Sequence, residues 1–232
     1  MQPNPETFIT TTRREFIGAI AAAAAVAGLD EMAAAKPSQT SGPDIAAGDP
    51  PEPEFHGPRV IGGTPGKPFL FRVPFTGKGS IALSVDNLPA ELRMSDDGII
   101  SGRVPHTGEY RLLFQAVNAH GKARRVIRLI AGQNKLGLTP QMGWNAFNAL
   151  SGENSAALTR ANADALLSSG LAAKGYMYVN IDGGWQDKRN RAGEMQPKAK
   201  FGDLKDLSDY LHRLGFRFGI YSCPGVLSCG RN

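Results

Sequence analysis

Residues 176–185 read YMYVNIDGGW, and this stretch decides the fold of the second half of the chain. Its first six residues are aromatic, β-branched or apolar apart from Asn180, a composition that favours a buried strand. The strand is predicted to end at Ile181, because an aspartate and two glycines follow it. Asp182 is therefore expected directly after the end of a strand.

Helices and strands alternate around this stretch. One helix is predicted between an N-cap at Ser155 and a terminating Gly170, a second helix at residues 203–214 and a further strand at 216–221. The core-facing stripe of the first helix is predicted to consist of Leu158, Ala161, Ala165 and Leu166. The order strand, helix, strand, helix, strand predicts parallel βαβ units. Active sites of α/β barrels lie at the carboxyl ends of the strands, so Asp182 is expected at the catalytic face.

Residues 59–132 show the pattern of a small all-β domain. Apolar residues alternate with polar ones in short runs around Phe71, Leu83, Leu112 and Ile127, with turn residues between the runs, and this pattern predicts a sandwich. The stretch includes Gly-Ile-Ile-Ser-Gly at 98–102 and resembles a bacterial immunoglobulin-like repeat. We expect a structural spacer rather than a carbohydrate-binding module, because no exposed aromatic platform is visible in the sequence.

Residues 1–35 are predicted to be a twin-arginine signal peptide. Arg13 and Arg14 precede an apolar stretch of about 13 residues, which is too short to span roughly 30 Å of hydrocarbon. No membrane anchor is therefore expected, and the protein is predicted to be exported to the periplasm or beyond the cell. Residues 36–58 are rich in Pro, Gly, Ser and Asp and are predicted to be a linker.

The net charge of +5 does not by itself indicate a nucleic-acid partner. The densest basic group lies on a predicted strand with alternating apolar residues, which is typical of a solvated sheet face; it consists of Lys122, Arg124, Arg125 and Arg128. The four histidines, His56, His106, His120 and His212, share no metal-ligand spacing. No metal, cofactor or nucleic acid is expected, and the sequence leaves the oligomeric state open.

Four motifs in the second half of the chain resemble the opening of glycoside hydrolase family 27, the α-galactosidase or melibiase family. They are Thr-Pro-x-Met-Gly-Trp-Asn from Thr139, Tyr-x-x-Ile-Asp-x-x-Trp from Tyr178, Asp-Tyr-x-His-x-x-Gly from Asp209 and Gly-Ile-Tyr-Ser from Gly219. The resemblance implies a (β/α)₈ barrel, of which residues 136–232 supply the first three strands. The predicted fold class is thus multidomain, an immunoglobulin-like sandwich followed by an incomplete barrel.

The same resemblance implies release of terminal α-linked galactose with retention of configuration. Retaining enzymes use two carboxyl groups about 5 Å apart, one as nucleophile and one as acid/base. In the family both lie on later strands, so no catalytic residue is expected in this chain. The expected partner is a carbohydrate substrate.

Four residues are expected in the sugar pocket because they match family motif positions. Asp182 matches an aspartate that binds sugar hydroxyls, and Tyr221 a tyrosine that lines the pocket. Phe147 stands where the family usually has a tryptophan that packs on the sugar. Cys229 matches a pocket cysteine whose partner would lie beyond Asn232; a local disulfide with Cys223 is the alternative.

Gly183 departs from the family pattern, because the second aspartate of the Ile-Asp-Asp motif is missing. The loss of a charged contact to sugar hydroxyls costs about 1.5 to 3 kcal/mol. Activity on a different glycoside, or a weakened or inactive relative, is therefore an alternative. A second hypothesis from another class is a non-catalytic carbohydrate-binding or spacer protein.

Overall fold

The computed structural model describes residues 48–223. The predicted signal peptide at 1–35, most of the predicted linker and Cys229 lie outside this range. Its helices are α1 (Phe147–Leu150), α2 (Ala156–Ser168) and α3 (Leu204–Arg213). Its strands are β1 (Glu54–Phe55), β2 (Val60–Gly63), β3 (Pro68–Arg72), β4 (Phe75–Thr76), β5 (Ala82–Asp86), β6 (Leu92–Met94), β7 (Ile99–Arg103), β8 (Gly108–Asn118), β9 (Gly121–Ala131), β10 (Gly143–Asn145), β11 (Tyr178–Ile181) and β12 (Arg217–Ile220). Within residues 48–223, no helix combines the length and the apolar character needed to cross a membrane.

Residues 54–131, which we call the β module, contain two facing sheets. One sheet has the strand order β2-β9-β8-β5 and the other β3-β7-β6. Strands β8 and β9 form a long antiparallel hairpin, and β2 runs parallel to β9. Both sheets contribute side chains to one core, including Phe71, Ile100, Leu112, Phe114 and Ile127. The sandwich predicted from the alternating pattern is therefore present.

Two predictions for the β module need correction. The predicted linker at 36–58 extends too far, because Glu54–Phe55 pairs antiparallel with Phe75–Thr76 as part of the module. A two-residue strand is too short to leave a period-2 pattern in the sequence. Arg125 does not belong to the basic solvent face: it lies on the opposite side of β9 and donates to the carbonyl oxygens of His56 (2.8 Å) and Gly57 (2.9 Å).

Residues 138–223, which we call the barrel segment, form three parallel strands in the order β10-β11-β12. Helices α2 and α3 cover one face of this sheet, and a buried core lies between them and the strands. It includes Ala163, Val179, Leu207, Leu211 and Phe216. The predicted alternation of strands and helices is confirmed, and the arrangement fits the beginning of a (β/α)₈ barrel.

The two main helices begin where the sequence predicts. The Ser155 hydroxyl accepts from the Leu158 backbone N–H at 3.3 Å, and the Asp203 carboxylate caps α3. The predicted stripe of α2 is right only for Leu166, since Leu158 is 39% exposed and the buried residues are Thr159, Ala163 and Leu166. An alanine-rich helix offers little contrast between its faces, so tertiary packing decides which one is buried.

The β module lies against the amino ends of the barrel strands. Arg72 of the module donates from Nε (3.0 Å) and Nη2 (2.7 Å) to the Leu214 carbonyl oxygen, next to the end of α3. A second arginine donates across the same contact in the opposite direction: Arg217 of the barrel segment donates from Nε to the Leu70 carbonyl oxygen of the β module at 3.1 Å. Met177 is buried within the core of the module. The carboxyl ends of the strands are left on the opposite side.

Candidate functional site

The pairing register of the three parallel strands places three predicted site residues, Phe147, Asp182 and Tyr221, at the same edge of the sheet. Asn145, Asn180 and Gly219 are aligned across the three strands. Phe147, Asp182 and Tyr221 each follow one of these residues by two positions. All three therefore lie at the carboxyl edge of the parallel sheet, which is the catalytic edge of α/β barrels.

The Asp182 carboxylate is held by two hydrogen bonds. Its Oδ2 accepts from the Asn145 Nδ2 at 3.0 Å, and its Oδ1 accepts from the Gly183 backbone N–H at 2.7 Å. Asn145 is itself oriented, because its Oδ1 accepts from the Phe147 backbone N–H at 3.1 Å. A carboxylate has about four lone-pair positions, so two of them stay available for hydroxyl groups of a ligand. Asp182 is thus a rigid acceptor that remains half-buried.

Tyr221 is fixed through its backbone, while its side chain is 41% exposed. Its carbonyl oxygen accepts from Trp185 Nε1 (2.8 Å) and Gln186 Nε2 (3.3 Å), and its N–H donates to the Ile181 carbonyl oxygen at 3.1 Å. The Tyr221 hydroxyl and the Cys223 sulfur are 3.4 Å apart. The ring is therefore held at the rim, where it can contact a sugar.

Of the other aromatic residues near the site, Phe147 lies at its rim, and the two tryptophans lie in the protein core. Phe147, the first residue of α1, is 51% exposed beside Asn145. Trp185 is only 9% exposed, and Trp144 packs against the core between the sheet and the helices. The two tryptophans therefore have a structural role. Phe147, in contrast, offers an apolar surface at the edge of the site.

The amino end of the sheet carries a cavity whose lining is largely apolar but also includes Lys174, Tyr178 and Arg217. A cavity of about 370 Å³ lies between the β module and the barrel segment; its lining includes Ile61, Phe71, Leu138, Met142 and Met177. Among residues 48–223, no group of three or more His, Cys, Asp or Glu side chains is arranged to hold a metal ion. The predicted sugar-binding residues that the structure describes lie at the opposite, carboxyl edge.

Comparisons with known proteins point to one family. The family model described as alpha galactosidase A matches residues 139–231. "Alpha-galactosidase 2" of Arabidopsis thaliana is 45% identical over 101 residues, and "Alpha-galactosidase A" of Cellvibrio japonicus is 41% identical over 97 residues. The barrel segment therefore resembles the α-galactosidases of glycoside hydrolase family 27 over almost its whole length. Its four motifs are thus motifs of this family.

The chain spans about a quarter of the length of the curated relatives it matches. The matches cover 42% of the chain and 26% of the Arabidopsis protein, and 41% of the chain and 24% of the Cellvibrio protein. A solved structure of an alpha-galactosidase-like protein from Bacteroides fragilis has a TM-score of 0.74 and 36% sequence identity. The structural match covers 78% of this chain and 39% of the Bacteroides chain. A share this large extends beyond the barrel segment into the β module.

Two residues of the candidate site have roles that the sequence analysis did not assign. Asn145 orients Asp182, and Gln186, which is 1% exposed, accepts from the Gly184 backbone N–H at 3.1 Å and supports the Tyr221 carbonyl. Asn145 ends the first motif and is the last residue of the short strand β10, which is the signal that could have indicated its role. Gln186 gives a weaker signal, because polar residues after Trp185 also fit a solvated loop.

Proposed function

We propose that the full-length protein is an exported retaining glycoside hydrolase that releases terminal α-linked galactose. This chain supplies one part of the sugar pocket. The observation that carries the proposal is the Asp182 carboxylate, which two hydrogen bonds hold at the carboxyl edge of a barrel segment of the α-galactosidase family. A carboxylate in this position accepts hydrogen bonds from two adjacent sugar hydroxyls.

We assign no catalytic role to the residues described here. Retention requires two carboxyl groups about 5 Å apart on either side of the anomeric carbon. In this proposal both belong to strands that follow the three of the barrel segment. The task of Asp182, Tyr221 and Phe147 is to hold the terminal sugar against those groups.

A comparison of two polypeptides tests the proposed activity. The isolated 232-residue chain is expected to show no turnover of nitrophenyl α-galactoside, and a polypeptide whose reading frame continues through the remaining barrel strands is expected to hydrolyse it. The physical reason is that three of eight strands leave the pocket open and one sheet edge unpaired. Released nitrophenol is measured by absorbance. Turnover by the isolated chain, or none by the extended polypeptide, contradicts the proposal.

Galactose specificity depends on Gly183, where the family has a second aspartate. The change Gly183→Asp is expected to strengthen galactose binding by the full-length protein about tenfold or more, because it restores a charged acceptor worth about 1.5 to 3 kcal/mol. Product inhibition by galactose measures the effect. The control is Gly152→Asp, which adds the same charge at a glycine with open space around it.

A different outcome at this position identifies the alternative. If Gly183→Asp leaves galactose inhibition unchanged while the unmodified protein cleaves another glycoside, the substrate is that glycoside and not an α-galactoside. The Gly183 N–H donates to Asp182 in the present structure, so the carboxylate geometry does not itself depend on a second aspartate.

For the β module we propose an immunoglobulin-like spacer that supports the barrel. Its large aromatic residues, such as Phe71 and Phe114, are buried, and the large apolar residues it exposes most are the aliphatic Val117 and Val126. A carbohydrate-binding face usually presents aromatic rings. The module also contacts the end of the barrel sheet that lies opposite the sugar site.

A further inference from the structure

The loop between β11 and α3 forms an ordered hairpin at the carboxyl edge of the sheet. We call residues 186–197 the rim hairpin; an isolated antiparallel bridge joins Gln186 and Pro197 at its base. The Asp187 N–H donates to the Gln196 carbonyl oxygen at 2.7 Å, and the Lys198 N–H donates to the Trp185 carbonyl oxygen at 2.8 Å. The rim hairpin therefore begins within a few residues of Asp182 and is anchored to the same tryptophan that holds Tyr221.

The tip of the rim hairpin is organised by one asparagine. The Asn190 Oδ1 accepts from the backbone N–H groups of Ala192 (3.0 Å) and Glu194 (2.9 Å), and its Nδ2 donates to the Glu194 carboxylate at 2.8 Å. Arg189 donates from Nη1 to the Gly193 carbonyl oxygen at 2.8 Å. The tip thus has a defined shape, although its residues are exposed.

The charge along this loop is unbalanced. Residues 187–200 contain two acidic side chains, Asp187 and Glu194, and five basic ones, namely Lys188, Arg189, Arg191, Lys198 and Lys200. Within residues 48–223 the ion pairs are Arg128–Glu109, Lys174–Asp49 and Lys205–Asp209, so none of the five basic side chains is paired with a carboxylate there. Unpaired cations at the edge of a cleft create a positive potential that attracts anions.

Resting on the proposed function, we propose that the rim hairpin recognises anionic groups, sulfate or carboxylate, on the sugar units next to the terminal galactose. A glycan whose end lies at Asp182 has to leave the site across the surrounding loops, of which the rim hairpin is one. Residues 186–197 include no aromatic side chain, so stacking cannot be the main source of binding. Arginine and lysine bind sulfate and carboxylate through charge-assisted hydrogen bonds instead.

The test compares three kinds of oligosaccharide on the full-length protein. The substrates are neutral, sulfated and uronate-bearing galacto-oligosaccharides, each with a terminal α-galactose. For the triple variant Lys188→Gln/Arg189→Gln/Arg191→Gln we expect the KM ratio of charged to neutral substrate to rise about tenfold. High salt is expected to raise the same ratio in the unmodified protein, because the Debye length falls from ~10 Å at ~0.1 M to ~3 Å at ~1 M.

A matched control removes the same charge elsewhere. The variant Arg111→Gln/Lys122→Gln/Arg124→Gln changes three exposed basic residues of the β module and is expected to leave the ratio unchanged. The double variant Lys188→Gln/Arg191→Gln spares the Arg189 hydrogen bond, so a fall in its selectivity cannot be attributed to a distorted tip.

The outcomes separate this inference from the proposed function. A preference for sulfated over uronate-bearing substrate, or the reverse, supports the inference and identifies the anion. Equal KM values for neutral and charged substrates, or an equal change in the control variant, overturn it even if neutral galactosides are hydrolysed. If no galactoside is hydrolysed, the proposed function fails, and calorimetric titration with the same oligosaccharides still decides whether the rim hairpin binds anionic glycans.

Discussion

The double variant Arg72→Ala/Arg217→Ala is expected to lower the free energy of unfolding of the full-length protein by about 3 to 6 kcal/mol. The two arginines form a reciprocal pair of contacts, since each donates to a backbone carbonyl oxygen of the other part of the chain. Hydrogen bonds that involve a charged group contribute about 1.5 to 3 kcal/mol each. Their removal also leaves carbonyl oxygens without a donor at a largely buried contact.

The groups around Arg72 and Arg217 cannot easily replace the hydrogen bonds that the two arginines make. Burial lowers the pKa of the Arg72 guanidinium, and the nearby Asp97 carboxylate opposes this shift. Arg217 also donates to the Tyr178 hydroxyl at 2.9 Å and lies over the Tyr178 ring. A Cβ added at Gly215 would come within 2.9 Å of Arg72 Nε, so the arginine side chain packs directly against this glycine.

Two spectroscopic probes follow this effect in different parts of the molecule. The β module contains no tryptophan, whereas Trp144 and Trp185 lie in the barrel segment, so tryptophan fluorescence follows the barrel and not the module. Far-ultraviolet circular dichroism reports on the β module as well. During denaturant unfolding, coincident transitions are expected for the unmodified protein and separate transitions for the double variant.

The control for this experiment is Arg111→Ala/Arg124→Ala, which removes two exposed arginines from the outer face of the β module. It is expected to leave both transitions nearly unchanged, because exposed charges contribute little to stability. Equal shifts in the control and in Arg72→Ala/Arg217→Ala would show that the contact between module and barrel does not hold the two parts together.

Local signals in the sequence were sufficient to predict most of the barrel segment. Helix α3 is predicted well because Asp203 caps its start and Gly215, with a φ of 80°, ends it. The end of β11 is equally clear, since apolar residues change abruptly to Asp182 and glycines. Such features act within a few residues of one another, so the sequence pattern alone contains them.

Features that depend on contacts between distant residues were not predictable in the same way. The buried face of α2 is selected by its neighbours, and the carbonyl oxygens that accept from Arg125 lie 69 and 68 positions away, at His56 and Gly57. The contact between Arg72 and Leu214 joins residues 142 positions apart and has no sequence motif. The role of Asn145 in orienting Asp182 likewise depends on the pairing of β10 with β11, which only the folded sheet establishes.

Replacing Asp182 by asparagine is expected to weaken galactose binding by the full-length protein about tenfold to a hundredfold. The change keeps the shape of the side chain but removes its charge and turns one oxygen into an NH₂ group. Both carboxylate oxygens now accept from donors, Asn145 Nδ2 and the Gly183 N–H. An NH₂ group would face one of these donors, so the side chain would lose a hydrogen bond inside the protein as well as a charged contact with the sugar.

Kinetics and inhibition distinguish this binding role from a structural one. For Asp182→Asn we expect a lower kcat/KM for nitrophenyl α-galactoside and a higher inhibition constant for galactose, with only a small fall of the unfolding midpoint from the lost internal hydrogen bond. The control Asp96→Asn alters an exposed aspartate of the β module and is expected to change neither constant. Asn145→Ala should produce a smaller rise of the inhibition constant, since it removes the donor that orients the carboxylate but keeps the carboxylate itself. If Asn145→Ala weakens galactose binding while Asp182→Asn does not, the sugar is held by the amide and the assignment of Asp182 is wrong.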